Sequence, residues 1–229
     1  MIKKTESPHA AAPAHREECY ACRRAKKNCL CGGAKPFATR TRFVILMHTK
    51  EAHKQRTGTA RLTRMCLANA ELIVGTDFTD HERVNALIQD PGYSPFVLYP
   101  GPRAVNFGGL AEGLRREGKI PLVFVIGGTW RGAQRVLRKS RNVSALPRLS
   151  FSGSYTSQFK IKKQPQPHCV STIEAVYYLC KEAQAAGYED LAGQEENLMD
   201  IFRQLVDTQL NYQRGKRRRR EENAPAPGE

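Results

Sequence analysis

Residues 122–130 read Leu-Val-Phe-Val-Ile-Gly-Gly-Thr-Trp, five apolar residues followed by two glycines and a Thr-Trp pair. An apolar run of this length, rich in branched and aromatic residues, is typical of a fully buried strand. The glycines let the backbone approach a ligand closely, and Thr129 is a favourable N-cap for a following helix. The stretch therefore predicts a strand that runs directly into a helix, where α/β proteins bind ligands. An ordinary tight turn with Trp130 as a core residue is the alternative.

Short apolar runs on both sides of this stretch extend the pattern. Further strands are predicted at residues 43–47, 72–74, 96–99 and 149–151, with an extended piece at 158–162. Helices are predicted at residues 59–70, 80–89, 130–141, 171–186 and 195–212, and residues 106–118 form a looser stretch without a clear assignment. Strands that alternate with helices predict an α/β fold with a mainly parallel sheet covered on both faces.

Four of the seven cysteines lie close together near the N-terminus, in the pattern Cys19-x2-Cys22-x6-Cys29-x-Cys31. Two close pairs of thiolates supply the four ligands that tetrahedral Zn²⁺ requires, with little chain entropy to lose. Four protein ligands leave no open coordination position, so this metal would be structural. A redox CxxC motif or unpaired surface thiols are the alternatives.

The chain carries 37 basic and 22 acidic residues, a net charge of +15, so its expected partner is a polyanion. Five of these positive charges lie in residues 216–220, which leaves about +10 on the rest of the chain. No apolar run approaches the roughly 20 residues that span a bilayer, and the first residues do not resemble a signal peptide. We therefore expect no membrane partner. The odd number of cysteines indicates reduced thiols in the cytoplasm, with Cys66, Cys169 and Cys180 as core residues.

Three other segments lie where ligands bind α/β sheets. His48-Thr49-Lys50-Glu51 follows the first predicted strand, and Tyr99-Pro100-Gly101-Pro102 follows the third. Ser171-Thr172-Ile173-Glu174 is an S-x-x-E capping box, which explains a helix start without any ligand. The same helix N-terminus is also suited to a small anionic or zwitterionic ligand. The helix after Trp130 carries a basic stripe, which is either a solvated face or a phosphate-binding surface: Arg131, Arg135, Arg138 and Lys139.

Taken together, these segments resemble the DTW-domain family of tRNA-uridine aminocarboxypropyltransferases. The resemblance extends from Cys19 to about residue 186, and it depends on the order of several motifs. These are the cysteine pairs, His48-x-x-Glu51, Arg56-Thr57-Gly58-Thr59, Leu98-Tyr99-Pro100-Gly101, the turn at 127–130 and Ser171-Thr172-Ile173-Glu174-Ala175.

The resemblance implies a SPOUT-like α/β fold with a C-terminal knot that binds S-adenosylmethionine. It also implies transfer of the 3-amino-3-carboxypropyl group to N3 of a tRNA uridine, with 5′-methylthioadenosine as by-product. Because N3 carries a proton, a general base or a group that stabilises the uridine anion is needed. The predicted binding loops are residues 99–103, 126–130 and 168–174.

Individual roles follow from the same resemblance. The candidate catalytic residues are Glu51, Thr129 and Trp130. The candidate S-adenosylmethionine-binding residues are Tyr99, Pro100, Gly101, Gly127, Gly128, Ser171, Thr172 and Glu174. The candidate tRNA-binding residues are Arg131, Arg135, Arg138, Lys139 and Lys162. The candidate zinc ligands are Cys19, Cys22, Cys29 and Cys31.

The chain departs from the family pattern at two positions. The D-x-T-W motif of the family begins with Asp, and this chain has Gly127; Glu51 or Glu174 could supply the missing acid. Lys162 lies where relatives often carry Arg. If the missing acid matters, Gly127→Asp is expected to raise the rate. An RNA-binding member without turnover and an RNA methyltransferase are therefore the alternatives.

The sequence divides into four predicted segments. Residues 1–16 are expected to be a disordered lead and residues 17–35 the zinc knuckle. Residues 36–213 form the predicted catalytic domain, and residues 214–229 a basic, disordered tail.

Overall fold

Five short parallel strands form one sheet at the centre of the molecule. The strands, in chain order, are β1 (Arg42–His48), β2 (Glu71–Gly75), β3 (Tyr93–Leu98), β4 (Ile120–Gly127) and β5 (Arg148–Leu149). Their order across the sheet is β2-β1-β4-β3-β5, and every pairing between these described strands is parallel. The prediction of a mainly parallel sheet is therefore confirmed.

The structure is a computed structural model that describes residues 17–54, 57–162, 164–166 and 169–222. The predicted lead at 1–16, Arg56 of the third motif and His168 of a predicted binding loop lie outside the described residues.

Helices cover both faces of the sheet. They are α1 (Thr49–Lys54), α2 (Ala60–Cys66), α3 (Glu82–Gln89), α4 (Phe107–Glu117), α5 (Trp130–Lys139), α6 (Arg141–Ser144), α7 (Thr172–Ala185) and α8 (Glu196–Glu222). No helix within the described ranges combines the length and apolarity needed to cross a membrane.

The alternation of side chains along β1 and β4 separates the core into two layers. On one face, Phe43 and Val123 pack with residues of α2, α4, α7 and α8, including Ile173 and Phe202. On the other face, Val44 and Phe124 pack with residues of α3, α5 and α6. Because both faces are covered, the central strands are apolar at nearly every position.

The N-terminal knuckle is joined to the first of these layers. Its two short 3-10 turns span Lys26–Asn28 and Cys31–Gly33, and Cys22 and Leu30 are buried in the same cluster as the main core. Arg24 is also buried, and its guanidinium donates hydrogen bonds to the carbonyls of Cys22 and Gly58 (3.4 and 3.1 Å). The knuckle is therefore attached to the loop that precedes α2.

Two regions differ from the expectations. Helix α8 continues through residues 214–222, which the sequence assigned to a disordered tail, and residues 223–229 lie outside the described ranges. Two ion pairs between residues one helical turn apart, Arg217–Glu221 and Arg218–Glu222, favour a helix in this segment. Residues 158–162 form a turn instead of an extended piece, because the Lys162 N–H bonds to the Phe159 carbonyl.

Candidate functional site

The candidate site lies at the edge of the sheet where the parallel strands end. β1 ends at His48, β3 at Leu98, β4 at Gly127 and β5 at Leu149. Since the carboxyl ends of parallel strands meet at one edge, the loops that follow these strands converge. Two adjoining cavities open among these loops.

The first cavity, called the cleft below, has a volume of about 350 Å³. Its walls come from the loops after β3, β4 and β5 and from the start of α7. Most of the predicted binding residues line it: Tyr99, Pro100, Gly101, Gly128, Trp130 and Thr172.

Aromatic side chains that the sequence analysis missed complete the cleft. Phe151 and Tyr155 lie in the loop after β5 and line it, and the Tyr155 ring stacks on Tyr178 with 4.0 Å between centroids. The buried Glu182 carboxylate holds this loop by accepting hydrogen bonds from the N–H groups of Ser152 and Gly153 and from the Tyr155 hydroxyl (2.8, 3.2 and 3.1 Å). Burial and Glu182 raise the pKa of Tyr155 to about 12, so the phenol remains protonated.

The turn after β4 has the geometry that its sequence predicted. The Thr129 hydroxyl accepts a hydrogen bond from the Gly132 N–H (3.1 Å), so Thr129 is the N-cap of α5. Gly128 has φ of +153°, a conformation that favours glycine, and a methyl group there would lie 3.3 Å from His48 Cβ. The backbone therefore passes close to β1 at Gly128. The Trp130 ring that follows has its centroid 6.0 Å from that of Tyr99.

Gly127 lies away from both cavities. It is buried, and a Cβ atom at this position would be 2.8 Å from the Ala60 Cβ and 3.6 Å from Ile45 Cγ2. Gly127 thus lines neither cavity, because this residue faces α2 and its neighbour Gly128 faces the cleft. Its contact with the cofactor stays a prediction.

Glu51 lies at the start of the second cavity, called the annex below, which has a volume of about 500 Å³. The Glu51 side chain is only 5% exposed, and its Oε1 lies 3.5 Å from the Ala60 N–H nitrogen. Burial raises the pKa of this carboxyl, and the nearby Lys162 partly offsets that shift. The annex shares Gly128, Trp130 and Thr172 with the cleft.

Glu174 is a structural anchor in this arrangement. It is fully buried, and its carboxylate accepts hydrogen bonds from the Gln158 N–H (2.6 Å), the Ser157 hydroxyl (2.9 Å), and the Ser171 N–H and hydroxyl (2.8 and 2.6 Å). These contacts confirm the capping box and attach the 157–158 turn to α7. Glu174 lines neither cavity, whereas Ser171 lines the annex.

The predicted RNA-binding residues divide into two groups. Arg131, Arg135, Arg138 and Lys139 are all exposed along one side of α5. Arg131 also lines the annex, so the basic stripe begins at the mouth of that cavity. Lys162 is instead half-buried in the annex, with its ammonium 5.0 Å from the centre of the Phe159 ring.

The four clustered cysteines have the spacing of a metal site. Their sulfur atoms all lie within 4.8 Å of one another, with Cys19 and Cys31 3.5 Å apart and Cys22 and Cys29 3.8 Å apart. Ligands about 2.3 Å from one tetrahedral Zn²⁺ would lie at nearly these separations. The cluster can therefore hold a metal ion such as zinc. Cys66, Cys169 and Cys180 are buried and unpaired, as predicted.

Comparison with known proteins agrees with this arrangement. A sequence model of the DTW domain matches residues 16–210. The chain belongs to the DTW-domain family. The resemblance carried by the ordered motifs is thus confirmed.

Three curated relatives are each named tRNA-uridine aminocarboxypropyltransferase 2. The proteins from Macaca fascicularis and Mus musculus are 29% and 28% identical to this DTW-domain chain over 69% of its length. The Drosophila melanogaster protein is 30% identical over 72% of the chain. The chain spans 54% of the two mammalian relatives and 66% of the fly protein. No solved structure matches the chain.

Restoring the family's acid at Gly127 is expected to destabilise this chain. In Gly127→Asp the new Cβ meets Ala60 and the carboxylate is added at a buried position, so we expect the free energy of unfolding to fall by about 2–4 kcal/mol and Tm by roughly 5–15 °C. The double variant Ala60→Gly with Gly127→Asp is expected to recover part of that loss because it removes the clashing methyl group. Thermal unfolding measures both. An unchanged Tm in the single variant would contradict this packing.

Proposed function

We propose that the protein is a tRNA-uridine aminocarboxypropyltransferase. In this proposal the 3-amino-3-carboxypropyl group of S-adenosylmethionine is transferred to N3 of a tRNA uridine, and 5′-methylthioadenosine is released. The names of the three relatives support the proposal. The observation that carries it is the pair of adjoining cavities that share Gly128, Trp130 and Thr172, because a transferase must hold a donor and an acceptor in contact.

The cleft fits the donor by size and by lining. Its lining is mainly aromatic and aliphatic side chains and glycines, which suits a nucleoside that Tyr99, Trp130 and Tyr155 would hold. The start of α7, at Thr172, would hold the carboxylate of the donor, since the N-terminal end of a helix favours anions. When bound, the donor supplies an electrophilic carbon next to a sulfonium. The side chains of the cleft orient this carbon and exclude water.

Glu51 is the candidate general base. It lies in the annex, and its raised pKa makes it a stronger proton acceptor than an exposed glutamate. An ionised Glu51 would take the N3 proton of the uridine, while Thr129 and Trp130 would shape the shared wall. Gly127 removes the acid of the family motif, and Glu51 remains as the carboxylate that lines either cavity among the described residues.

A SPOUT-like knot is part of the proposal for the fold. The all-parallel sheet and its strand order support it. So does the course of the chain after β5, because residues 150–155 and the start of α7 line the same cleft as the loops after β3 and β4.

The exposed face of α5 is the proposed tRNA-binding surface. The double variant Arg135→Gln with Arg138→Gln is expected to weaken tRNA binding about 10-fold near physiological salt and to reduce the slope of log K against log salt by about 1–2. Binding titrations at several salt concentrations measure both effects. Lys119→Gln, at the opposite edge of the sheet, is the matched control. Equal slopes in the two variants would exclude α5 from the tRNA interface.

The cysteine cluster is proposed to hold structural Zn²⁺ through Cys19, Cys22, Cys29 and Cys31. All four positions are required as thiolates, so a reducing compartment such as the cytoplasm fits the chemistry.

The test of the proposed function is a transfer assay with two donor labels. Purified protein is incubated with unmodified tRNA and S-adenosylmethionine that is labelled either in the methyl group or in the carboxypropyl carbons. Carboxypropyl label in tRNA, with equal release of 5′-methylthioadenosine, is the expected result. Methyl label would indicate a methyltransferase. Binding of tRNA without either label would indicate an RNA-binding protein without turnover, which the departure at Gly127 favours as the second candidate.

A further inference from the structure

The annex contains two oppositely charged side chains, Glu51 and Lys162, and the proposed reaction gives a role only to Glu51. Glu51 enters it from α1 and Lys162 from the turn after the β5 loop, and both side chains are at least half-buried. Thr59 and Ser171 contribute hydroxyl groups, and Phe159 and Trp130 contribute rings. The annex therefore combines one acid, one ammonium and two aromatic side chains, with the guanidinium of Arg131 at its mouth.

The surroundings of Lys162 differ from those of a surface lysine. Burial lowers its pKa, Arg24 lowers it further, and Glu51 acts in the opposite direction. The other charged side chains near this pair are Arg61, which affects Glu51, and Arg131, which lines the annex. An ammonium in a water-poor cavity interacts with a neighbouring anion much more strongly than one in bulk solvent.

A uracil base matches this arrangement in its chemistry. Its N3–H donor lies between two carbonyl acceptors, so a carboxylate can accept from N3–H while an ammonium donates to a neighbouring carbonyl oxygen. Cytosine presents an acceptor at N3 and therefore opposes the carboxylate. Phe159 and Trp130, which both line the annex, offer aromatic surfaces against which a flat base can pack.

We propose that the annex binds the acceptor uracil, and that Lys162 stabilises the negative charge on its carbonyl oxygen as N3 loses its proton to Glu51. This inference rests on the proposed function and adds a substrate-binding cavity and a catalytic residue to it. The sequence predicted that Lys162 contacts tRNA. In this proposal Lys162 contacts a base of the tRNA instead of a phosphate.

The step balances in protons and electrons. The N3 proton passes to the Glu51 carboxylate, and the electron pair on N3 forms the new N–C bond. The electrons of the broken C–S bond remain on sulfur, which leaves as the neutral thioether of 5′-methylthioadenosine. Lys162 keeps its proton throughout and acts through its charge.

Variants of Lys162 test the assignment by comparing kcat with tRNA affinity. Lys162→Gln is expected to lower kcat about 100-fold with tRNA affinity within about 2-fold, and Lys162→Arg to retain most of the rate because the charge remains. Lys160→Gln, an exposed lysine on the same turn, is the matched control and is expected to leave both values unchanged. The fall in rate at high pH, where Lys162 loses its proton below the usual lysine range, should disappear in Lys162→Arg. Weaker tRNA binding with unchanged kcat in Lys162→Gln would overturn the proposal and indicate a phosphate contact.

A binding measurement separates this inference from the proposed function. Trp130 is the only tryptophan of the sequence and lines the annex, so its fluorescence reports on that cavity without turnover. A short uridine oligonucleotide is expected to change the fluorescence and to bind about 10-fold more tightly than the matching cytidine oligonucleotide. Glu51→Gln should remove this preference, because an amide can accept from uridine N3–H or donate to cytosine N3. Equal binding of the two oligonucleotides by the unmodified protein would overturn the assignment, whether or not the protein transfers label to tRNA.

Discussion

Glu51→Gln is expected to lower the rate of aminocarboxypropyl transfer by about 100-fold or more, with little change in tRNA affinity. The amide keeps the size of the side chain and its contact with the Ala60 N–H, but it cannot accept the N3 proton. Single-turnover kinetics with labelled donor measure the rate, and thermal unfolding shows whether the fold is intact. Since an uncharged amide is easier to bury than a carboxylate, we expect an equal or slightly higher Tm.

The pH dependence gives a second test of Glu51. A base acts in its ionised form, so the rate should fall as the pH drops through the pKa of Glu51, and burial places this fall at a higher pH than for an exposed glutamate. Glu51→Gln should lose this acid limb. Glu174→Gln is the contrasting variant, because its main effect should be a lower Tm through the lost anchor of the 157–158 turn. Full activity in Glu51→Gln would exclude it as the base.

Removal of the metal is expected to lower the stability by about 3–5 kcal/mol, or roughly 10 °C or more in Tm. The loss of stability extends beyond the knuckle, because Cys22 and Leu30 belong to the main core and Arg24 donates a hydrogen bond to the Gly58 carbonyl. A methyl group at Gly58 would lie 2.5 Å from Glu51 Oε1, so this loop also sets the position of the candidate base. Loss of the metal should therefore reduce activity together with stability.

The measurement combines metal analysis with thermal unfolding before and after treatment with a chelator. One equivalent of zinc per chain is expected, and Cys22→Ser should reproduce the effect of the chelator. Cys169→Ser, a buried cysteine outside the cluster, serves as the matched control and should keep its zinc. A Tm that the chelator leaves unchanged would contradict a structural metal.

Much of the fold could be predicted from the sequence, because buried strands, helix caps and the cysteine cluster each depend on residues that are close together in the chain. The apolar runs at β1 and β4 are continuous because both faces of these strands are covered, and the pattern of buried strands between helices requires a parallel sheet. Thr129 and Ser171 were predictable as helix starts because N-capping depends on a few neighbouring residues. The cysteine spacing likewise places its four sulfur atoms together.

The roles of individual site residues depended on contacts between distant segments. Glu174 is at an ideal position for a ligand by sequence, yet the turn at 157–158 uses its carboxylate. Gly127 was expected at the cofactor, but Ala60 from α2 lies against it. The loop at 151–155 has a recognisable signal, two aromatic residues around Ser-Gly-Ser directly after a strand, and its role became clear only when Glu182 placed it at the cleft.

In the proposed reaction the donor and the acceptor occupy two cavities that meet at Gly128, Trp130 and Thr172. A crystal structure of the protein with S-adenosylmethionine or 5′-methylthioadenosine tests it most directly. We expect the nucleoside in the cleft among Tyr99, Trp130 and Tyr155, with the annex still open beside it. A nucleoside bound in the annex, or at a site that includes neither cavity, would contradict this assignment of the donor and acceptor cavities.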